Sequence, residues 1–335
     1  MKILITGGAG YIGSHTAVVL LEAGYSLVLI DNFYNSQPMV LDRIREISGK
    51  NFSFHEMDAC DAEAVDRLFC EEHFDGVIHF AGMKAVGESV AKPLQYYRNN
   101  LLSTITLADA CVRHSVPRFV FSSSATVYGD NTVPFHEGLP LLPTTNPYGE
   151  TKAMSERILT DAAKAHPFLQ ISLLRYFNPV GAHPSGLIGE DPNGIPNNLL
   201  PNVTRAVTGR VPYLRIFGND YPTPDGTGIR DYIHVMDLAE GHLAALEHLT
   251  PGVHLHNLGS GQGTSVLELI HAFEEATGET VPYRIEARRP GDIATCYADA
   301  SKANRELNWA VRRNIVDICR DAWRFECYVR DHNKH

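Results

Sequence analysis

Among the 335 residues, no apolar run approaches the roughly 18 residues that a membrane-spanning helix needs. The opening stretch, Met1-Lys2-Ile3-Leu4-Ile5-Thr6-Gly7-Gly8, meets glycine after too few apolar residues to serve as a signal peptide. The cysteines, Cys60, Cys70, Cys111, Cys296, Cys319 and Cys327, form no C-x-x-C pair. That argues against a zinc ribbon or a thioredoxin-type motif. In a chain of this length they read as reduced, mostly buried thiols. Basic charge is also scarce: 29 Lys and Arg stand against 39 Asp and Glu, a formal net charge of -10. A general nucleic-acid binder needs a basic surface, although a few arginines in one pocket suffice for a small anion. No H-E-x-x-H stands among the 16 histidines. Internal repeats, low-complexity segments and long charge blocks are missing too. What is there is an ordinary globular composition, 44% hydrophobic and 20% charged. At about 150 residues per domain, the length fits one large domain or two modest ones. The expectation is a soluble cytoplasmic protein with neither nucleic acid nor membrane as partner.

The first half alternates short apolar runs with helical patterns. Strands are expected at Lys2–Thr6, Ser26–Ile30, Phe52–Glu56, Gly76–Phe80, Arg118–Ser122 and Gln170–Leu174. Helices are expected at Tyr11–Ala23, Met39–Ile47, Ala62–Glu72, Leu94–His114 and Tyr148–His166. Such alternation argues for βαβ units and a parallel sheet, with right-handed crossovers and helices on both faces. After about Asn178, Pro and Gly become dense. Short strands (Leu214–Phe217, Val253–Asn257, Tyr283–Glu286) there mix with helices near Val235–Leu249, Ser265–Thr277 and Asn314–Tyr328. This reads as a smaller, irregular lobe whose loops close over the carboxyl edge of the sheet.

Thr6-Gly7-Gly8-Ala9-Gly10-Tyr11-Ile12-Gly13 contains G-x-G-x-x-G between an apolar strand and a helix. Glycines there permit a tight turn and let backbone reach a pyrophosphate, and the helix N-terminus offers N–H groups and partial positive charge. The second strand ends at Asp31, whose carboxylate suits an adenosine ribose and repels a 2′-phosphate, favouring NAD over NADP. A glycine turn alone can simply pack helix on strand; strand, helix and Asp31 together point to a dinucleotide.

The strand ending Phe121-Ser122-Ser123-Ser124 is followed downstream by Pro147-Tyr148-Gly149-Glu150-Thr151-Lys152. Tyr148 and Lys152 are four apart and share one helical face. A free tyrosine, with a pKa near 10, is a poor base. A nearby ammonium and a positive nicotinamide are expected to lower it. Such a tyrosine could take a proton from a substrate hydroxyl while hydride leaves the same carbon, and a serine could shuttle that proton. Y-x-x-x-K alone is common on helices, so its order after a nucleotide loop and a serine-ended strand is what gives it weight.

At this point the sequence resembles the extended short-chain dehydrogenases/reductases and, among them, the UDP-glucose 4-epimerases. The likeness spans nearly the whole chain. It is carried by residues 6–15, by Asp-Asn-Phe-Tyr-Asn-Ser at 31–36, and by His-Phe-Ala-Gly-Met-Lys-Ala-Val-Gly-Glu-Ser at 79–89. Ser-Ser-Ser-Ala-Thr-Val-Tyr-Gly at 122–129 adds to it. The most specific stretches come late: Arg-Tyr-Phe-Asn-Pro-Val-Gly-Ala-His at 175–183, Gly-Ile-Pro-Asn-Asn-Leu at 194–199, and the run from Phe217 to Val235. The resemblance implies a Rossmann-like, doubly wound parallel α/β sheet with a smaller mixed α/β domain. Residues 1–177 would bind NAD, and 178–335 mainly the UDP-sugar, with some segments returning to the first domain. Alongside Gly7, Gly10 and Gly13, it assigns NAD contacts to Tyr11, Ile12, Asp31, Asn32, Asn35, Ser36, Asp58, Phe80, Lys84, Asn99 and Phe177, with Lys152 on the nicotinamide ribose. Ser124, Tyr148 and Lys152 would be catalytic, and Ser124 and Tyr148 would also touch the sugar. Asn178, Asn198, Leu199, Phe217, Arg230, Arg289 and Asp292 would hold the UDP-sugar. The implied reaction inverts C4 through a transient 4-keto sugar. A homodimer pairing the helices near 94–114 and 148–166 is also implied.

In this family a bulky tyrosine or a small residue stands where Cys296 does here, facing the sugar's C2 substituent. A small side chain leaves space for an N-acetyl group, which points to turnover of UDP-GlcNAc and UDP-GalNAc as well. The bland reading is a core cysteine. Met57-Asp58-Ala59-Cys60 departs from the family's usual run after the third strand but keeps the aspartate. His254 and His256 alternate on an expected strand, and solvation is a better reading for them than metal binding. No metal site is expected. Rival readings are a nucleotide-sugar dehydratase or decarboxylase, and a non-catalytic NAD-binding regulator. The dehydratases carry Thr-Asp-Glu beside the active serine, where this chain has Ser124-Ala125-Thr126. The regulator predicts a lost Tyr or Lys, and both are present.

Overall fold

Along β1 (Lys2–Thr6), side chains alternate between two cores: Ile3 and Ile5 enter one, Leu4 the other. The same period of two recurs in every central strand, because successive side chains leave a strand on opposite faces. Both faces are therefore apolar, as a parallel sheet covered on both sides requires. The computed structural model describes residues 1–194, 196, 198–289 and 292–332.

After β1 come α1 (Tyr11–Glu22), β2 (Ser26–Asp31), α2 (Met39–Ser48), β3 (Ser53–Glu56), α3 (Ala62–Glu71) and β4 (Gly76–His79). Then follow α4 (Val86–Ala91), α5 (Pro93–Arg113), β5 (Arg118–Ser124), a 3₁₀ turn over Ala125–Tyr128, α6 (Pro147–Ala165) and β6 (Gln170–Tyr176). Beyond these lie β7 (Asn178–Val180), α7 (Leu199–Val207), β8 (Leu214–Phe217), β9 (Ile229–His234), α8 (Val235–Glu247) and β10 (Gly252–Leu258). The chain closes with β11 (Gly263–Ser265), α9 (Val266–Thr277), β12 (Tyr283–Glu286), β13 (Thr295–Cys296), α10 (Ser301–Glu306) and α11 (Ile315–His332).

Seven strands form one sheet in the order β10-β6-β5-β4-β1-β2-β3, with every pairing parallel. Helices α1, α2 and α8 cover one face, where Val18, Ile44 and Leu246 join Ile3 and Ile5. Helices α3, α5 and α6 cover the other, where Phe69, Leu107 and Leu159 join Leu4. A residue as fully buried as Ile5 contributes roughly 1.5–3 kcal/mol relative to exposure. This is the doubly wound Rossmann-like sheet expected from the sequence. The chain leaves β1 toward β2 on one side and β4 on the other, which opens a crevice at the carboxyl ends.

Past residue 178 the chain divides. Helix α8 and strand β10 serve the large sheet. The rest builds a smaller unit in which β9 pairs with β7, β11 and β13, and β8 pairs with β12. Helices α7, α9 and α11 enclose its core around Val203, Phe273 and Ile318. Strand β9, absent from the sequence expectation, reads Ile-Arg-Asp-Tyr-Ile-His and lacks a clean apolar alternation. Its Asp231 is nonetheless fully buried, because its carboxylate accepts from the Ser260 and Gly261 N–H groups at 2.7 and 3.0 Å and from the Ala298 N–H at 3.0 Å. Satisfied polar groups of this kind are invisible to a hydrophobic pattern. No helix among the described residues is long and apolar enough to cross a membrane.

Candidate functional site

A cleft of about 470 Å³ follows the carboxyl ends of the large sheet. One end is the turn between β1 and α1, which contributes Gly7, Gly10, Tyr11, Ile12 and Gly13. Gly7 has a φ of +68°, in the left-handed region that favours glycine. A Cβ on Gly13 would stand 2.2 Å from the Gly7 carbonyl oxygen, so no larger residue lets α1 start this close to the strand. Gly10 caps α1 without a side-chain acceptor, leaving first-turn N–H groups for an anion.

Asp31, Asn32, Asn35 and Ser36 line the cleft beyond β2, and Asp58 lines it beyond β3. The Asp31 carboxylate already accepts from Ala9 N at 3.0 Å, Phe33 N at 2.9 Å and Ser36 Oγ at 2.8 Å. Of its roughly four lone-pair sites, one stays open to a ribose hydroxyl. Phe80, Lys84 and Asn99 complete this side. The donors, the glycine cradle and the acidic end of β2 together fit an adenine dinucleotide.

At the other end are Ser124, Tyr148, Lys152 and Phe177. Strand β5 runs two residues past its expected end because Ser124 still pairs with Tyr176 of β6, and this carries Ser124 to the rim. Helix α6 begins sharply there: Pro147 occupies its first turn and Asn146 accepts from Gly149 N at 2.9 Å. Tyr148 and Lys152 therefore face the strand ends together. Lys152 Nζ donates to Ser122 O at 2.6 Å and lies 5.8 Å from the Tyr148 ring centre.

The protein's own groups do not lower Tyr148 by themselves; the nicotinamide charge in that expectation is the cofactor's to supply. Burial pushes the phenol up to about 12, against a smaller downward pull from the Ser124 hydroxyl. Burial also brings the Lys152 ammonium down to about 8, opposed by the charge of Glu156. Lys152 gives its hydrogen bond to a backbone carbonyl rather than to the phenol.

The substrate-side residues divide. Asn178 and Asn198 line the same cleft. Leu199, Phe217, Arg230, Arg289, Asp292 and Cys296 do not line it among the described residues. Arg230 and Cys296 face each other in register on β9 and β13. Cys296 is buried against Ala125, Phe177 and Ile293, and burial pushes its thiol up to about 12. Arg289 lies 4.7 Å from the Phe217 ring centre and donates to Asp292 Oδ2 at 2.9 Å. Of the stretches that carried the resemblance, Ile195 and Asn197 lie outside the described residues. His254 and His256 separate: His254 bonds Thr250 at 3.0 Å, whereas His256 is buried against Glu306 at 2.9 Å rather than solvated.

Sequence reasoning missed Glu190. Its carboxylate accepts from Lys84 Nζ at 2.9 Å and from Asn198 Nδ2 at 2.7 and 2.9 Å, joining the two ends of the cleft. It also missed the strap that crosses the cleft: Asn193 N donates to Asn35 Oδ1 at 3.0 Å, and Gln37 Nε2 to Asp191 Oδ2 at 3.2 Å. Both come from a Pro- and Gly-dense loop with no periodicity to read. Beside Ser124, Thr126 Oγ1 donates to the serine at 2.9 Å and Ala125 is buried, so no carboxylate stands where a dehydratase needs one.

The family described as NAD dependent epimerase/dehydratase matches residues 3–259. A UDP-glucose 4-epimerase of Bacillus subtilis is 57% identical over 329 residues, covering 97% of each chain. The crystal structure of a Bifidobacterium longum UDP-glucose 4-epimerase in complex with NAD+ and UDP superposes with a TM-score of 0.95 at 51% identity, covering 98% of both chains. That of a Stenotrophomonas maltophila UDP-glucose-4-epimerase with bound NAD and formylated UDP-arabinopyranose gives 0.96 at 47% identity over 99% of both.

Proposed function

This chain belongs to the NAD dependent epimerase/dehydratase family and, within it, to the UDP-glucose 4-epimerases, and from that membership we propose how its residues divide the work. The enzyme inverts C4 of UDP-glucose and UDP-galactose with NAD as cofactor. The observation that carries the proposal is the meeting of Ser124, Tyr148 and Lys152 in one cleft with the glycine turn and Asp31.

In this reading the turn of Gly7, Gly10 and Gly13, with Tyr11 and Ile12, receives the pyrophosphate. Asp31, Asn32, Asn35, Ser36 and Asp58 hold the adenosine end. Phe80, Lys84, Asn99 and Phe177 contact the cofactor as well, with Lys152 on the nicotinamide ribose. Bound NAD supplies reversible hydride transfer and a positively charged ring. Tyr148 takes the proton of the sugar's C4 hydroxyl and later returns it, with Ser124 relaying it between the two oxygens. A phenol held near 12 needs that added positive charge beside it to act as a base. Arg230 and Arg289 grip the diphosphate through charge-assisted bonds. Asn178, Asn198, Leu199, Phe217 and Asp292 hold the rest of the nucleotide sugar. The keto sugar, tethered by its diphosphate, turns over before the proton returns. The strap from Asp191 and Asn193 supports firm retention of the cofactor.

Turnover of N-acetylated UDP-sugars rests on the small residue Cys296, which is buried beside the cleft in a cluster with Phe177, a residue that does line it. Residues 1–177 form the NAD-binding part and 178–335 mainly the UDP-sugar part. Leu94, Leu102 and Ile105 share one exposed face of α5, with Leu94 78% accessible. That apolar face supports a homodimer through α5 and α6. A cytoplasmic place in galactose metabolism completes the reading.

The test uses purified protein and UDP-galactose carrying deuterium at C4 of the sugar, without added cofactor. UDP-glucose should form with the label retained. Loss of the label to solvent, or a strict need for added NAD, would overturn the mechanism.

A further inference from the structure

One turn beyond Lys152, on the same face of α6, stands Glu156, a buried carboxylate with no part in the chemistry described so far. Its partners are specific. Ser123 Oγ donates to Oε1 at 2.5 Å, and Arg175 of β6 donates through Nε at 2.9 Å and Nη2 at 2.6 Å. Arg175 is buried as well, and its guanidinium lies 4.6 Å from the ring centre of Tyr128, whose hydroxyl donates to Asn257 of β10 at 2.7 Å.

Consider what this does to the end of β5. Ser122 is held to α6 by its carbonyl, through Lys152, and Ser123 is held to α6 by its hydroxyl, through Glu156. Ser124, the next residue, lines the cleft. Two successive strand residues are thus pinned to the helix that carries Tyr148. Catalytic groups on separate elements work only at a fixed separation, and a misplacement of about 1 Å can cost about a hundredfold in rate. A buried ion pair such as Glu156–Arg175 adds little net stability compared with an apolar pair of similar volume.

We propose that Glu156 is a positioning residue of the reaction, fixing the Ser122–Ser124 strand end against α6 through Ser123 and serving as the buried counter-charge of Lys152. The inference rests on the roles given above to Tyr148 and Lys152. The titratable groups facing Lys152 are His79 from β4 and Tyr148 and Glu156 from α6 itself, with Tyr176 of β6 beside Tyr148. His79 is held down to about 3 by burial, with the Lys152 charge adding to it, and stays neutral. Glu156 alone among these is a carboxylate. Its charge acts upward on the Lys152 ammonium, against the burial that holds it at about 8. Without that charge the ammonium gives up its proton at a lower pH.

The test measures kcat and KM for UDP-galactose against pH in Glu156→Gln, in the double variant Glu156→Met with Arg175→Met, and in Ser123→Ala. Thermal melting and bound NAD report folding, and Tyr148→Phe is run alongside. In the Glu156 variants, kcat should fall about tenfold to a hundredfold with KM within about twofold, and in Glu156→Gln the alkaline limb of kcat should move to lower pH. Ser123→Ala should lower kcat severalfold without moving that limb. A folded, NAD-loaded double variant whose kcat–pH profile superposes on the parent, or one that only melts earlier, overturns the proposal. Should the Glu156 variants not fold, an unchanged kcat in Ser123→Ala overturns it. An active Tyr148→Phe would instead bring down the reading of the site, and this inference with it.

Discussion

The two walls of the cleft are built by different means. On the cofactor wall, the glycine turn, Asp31, Asp58, Phe80 and Ser124 stand at or just beyond the ends of strands in one sheet, while Asn99, Tyr148 and Lys152 come from the helices α5 and α6 packed on it. The residues proposed for the sugar side come largely from short strands and loops, and most of them stand beside the cleft rather than in its lining. Arg230 and Cys296 meet only because β9 and β13 pair, while Arg289 leans on Phe217 and is half exposed. Around Tyr148 and Lys152 the first wall is buried, and burial sets the electrostatics there. The second keeps its charges nearer water, where the Arg289–Asp292 pair has little hold on either partner. A protein that must grip a cofactor permanently and let a sugar turn can use that asymmetry.

Tyr148→Phe strikes the first wall hardest. It should lower kcat by about 10²–10⁴ while NAD stays bound, as measured by turnover of UDP-galactose and by cofactor content. Activity within tenfold of the parent would place the base elsewhere. Cys296→Tyr sharpens the contrast from the buried part of the other wall. Turnover of UDP-GalNAc should fall by about a hundredfold, with UDP-galactose turnover changed by less than about threefold. Loss of both in parallel would mean that the side chain only packs. Arg289→Ala should show the smallest effect. KM for UDP-galactose should rise about tenfold, the scale of a charge-assisted hydrogen bond, with kcat and melting temperature unchanged. A large fall in kcat would mean that this wall is as exacting as the other.

How much could be read in advance follows the same division. Strand–helix alternation in the first half fixes its elements because both cores are apolar and the period of two is clean. The Gly7–Gly13 turn and the Tyr148–Lys152 spacing are local, so the chain alone reveals them. Glu190 and Glu156 were not legible. Each is one carboxylate among many in the sequence, distinguished only by partners that are 8 to 106 residues away for Glu190 and 19 to 33 away for Glu156. Strand β9 escaped because its buried Asp231 and His234 look like surface residues until their partners are known.

The sequence by itself settled the nucleotide turn, the parallel sheet and the order of the serine, tyrosine and lysine, because each rests on neighbours close along the chain. Only the tertiary structure decided how deeply those groups are buried. Burial raises Tyr148 to about 12 before any nicotinamide charge acts on it, because desolvation depends on everything packed around a group, and no spacing between residues records that.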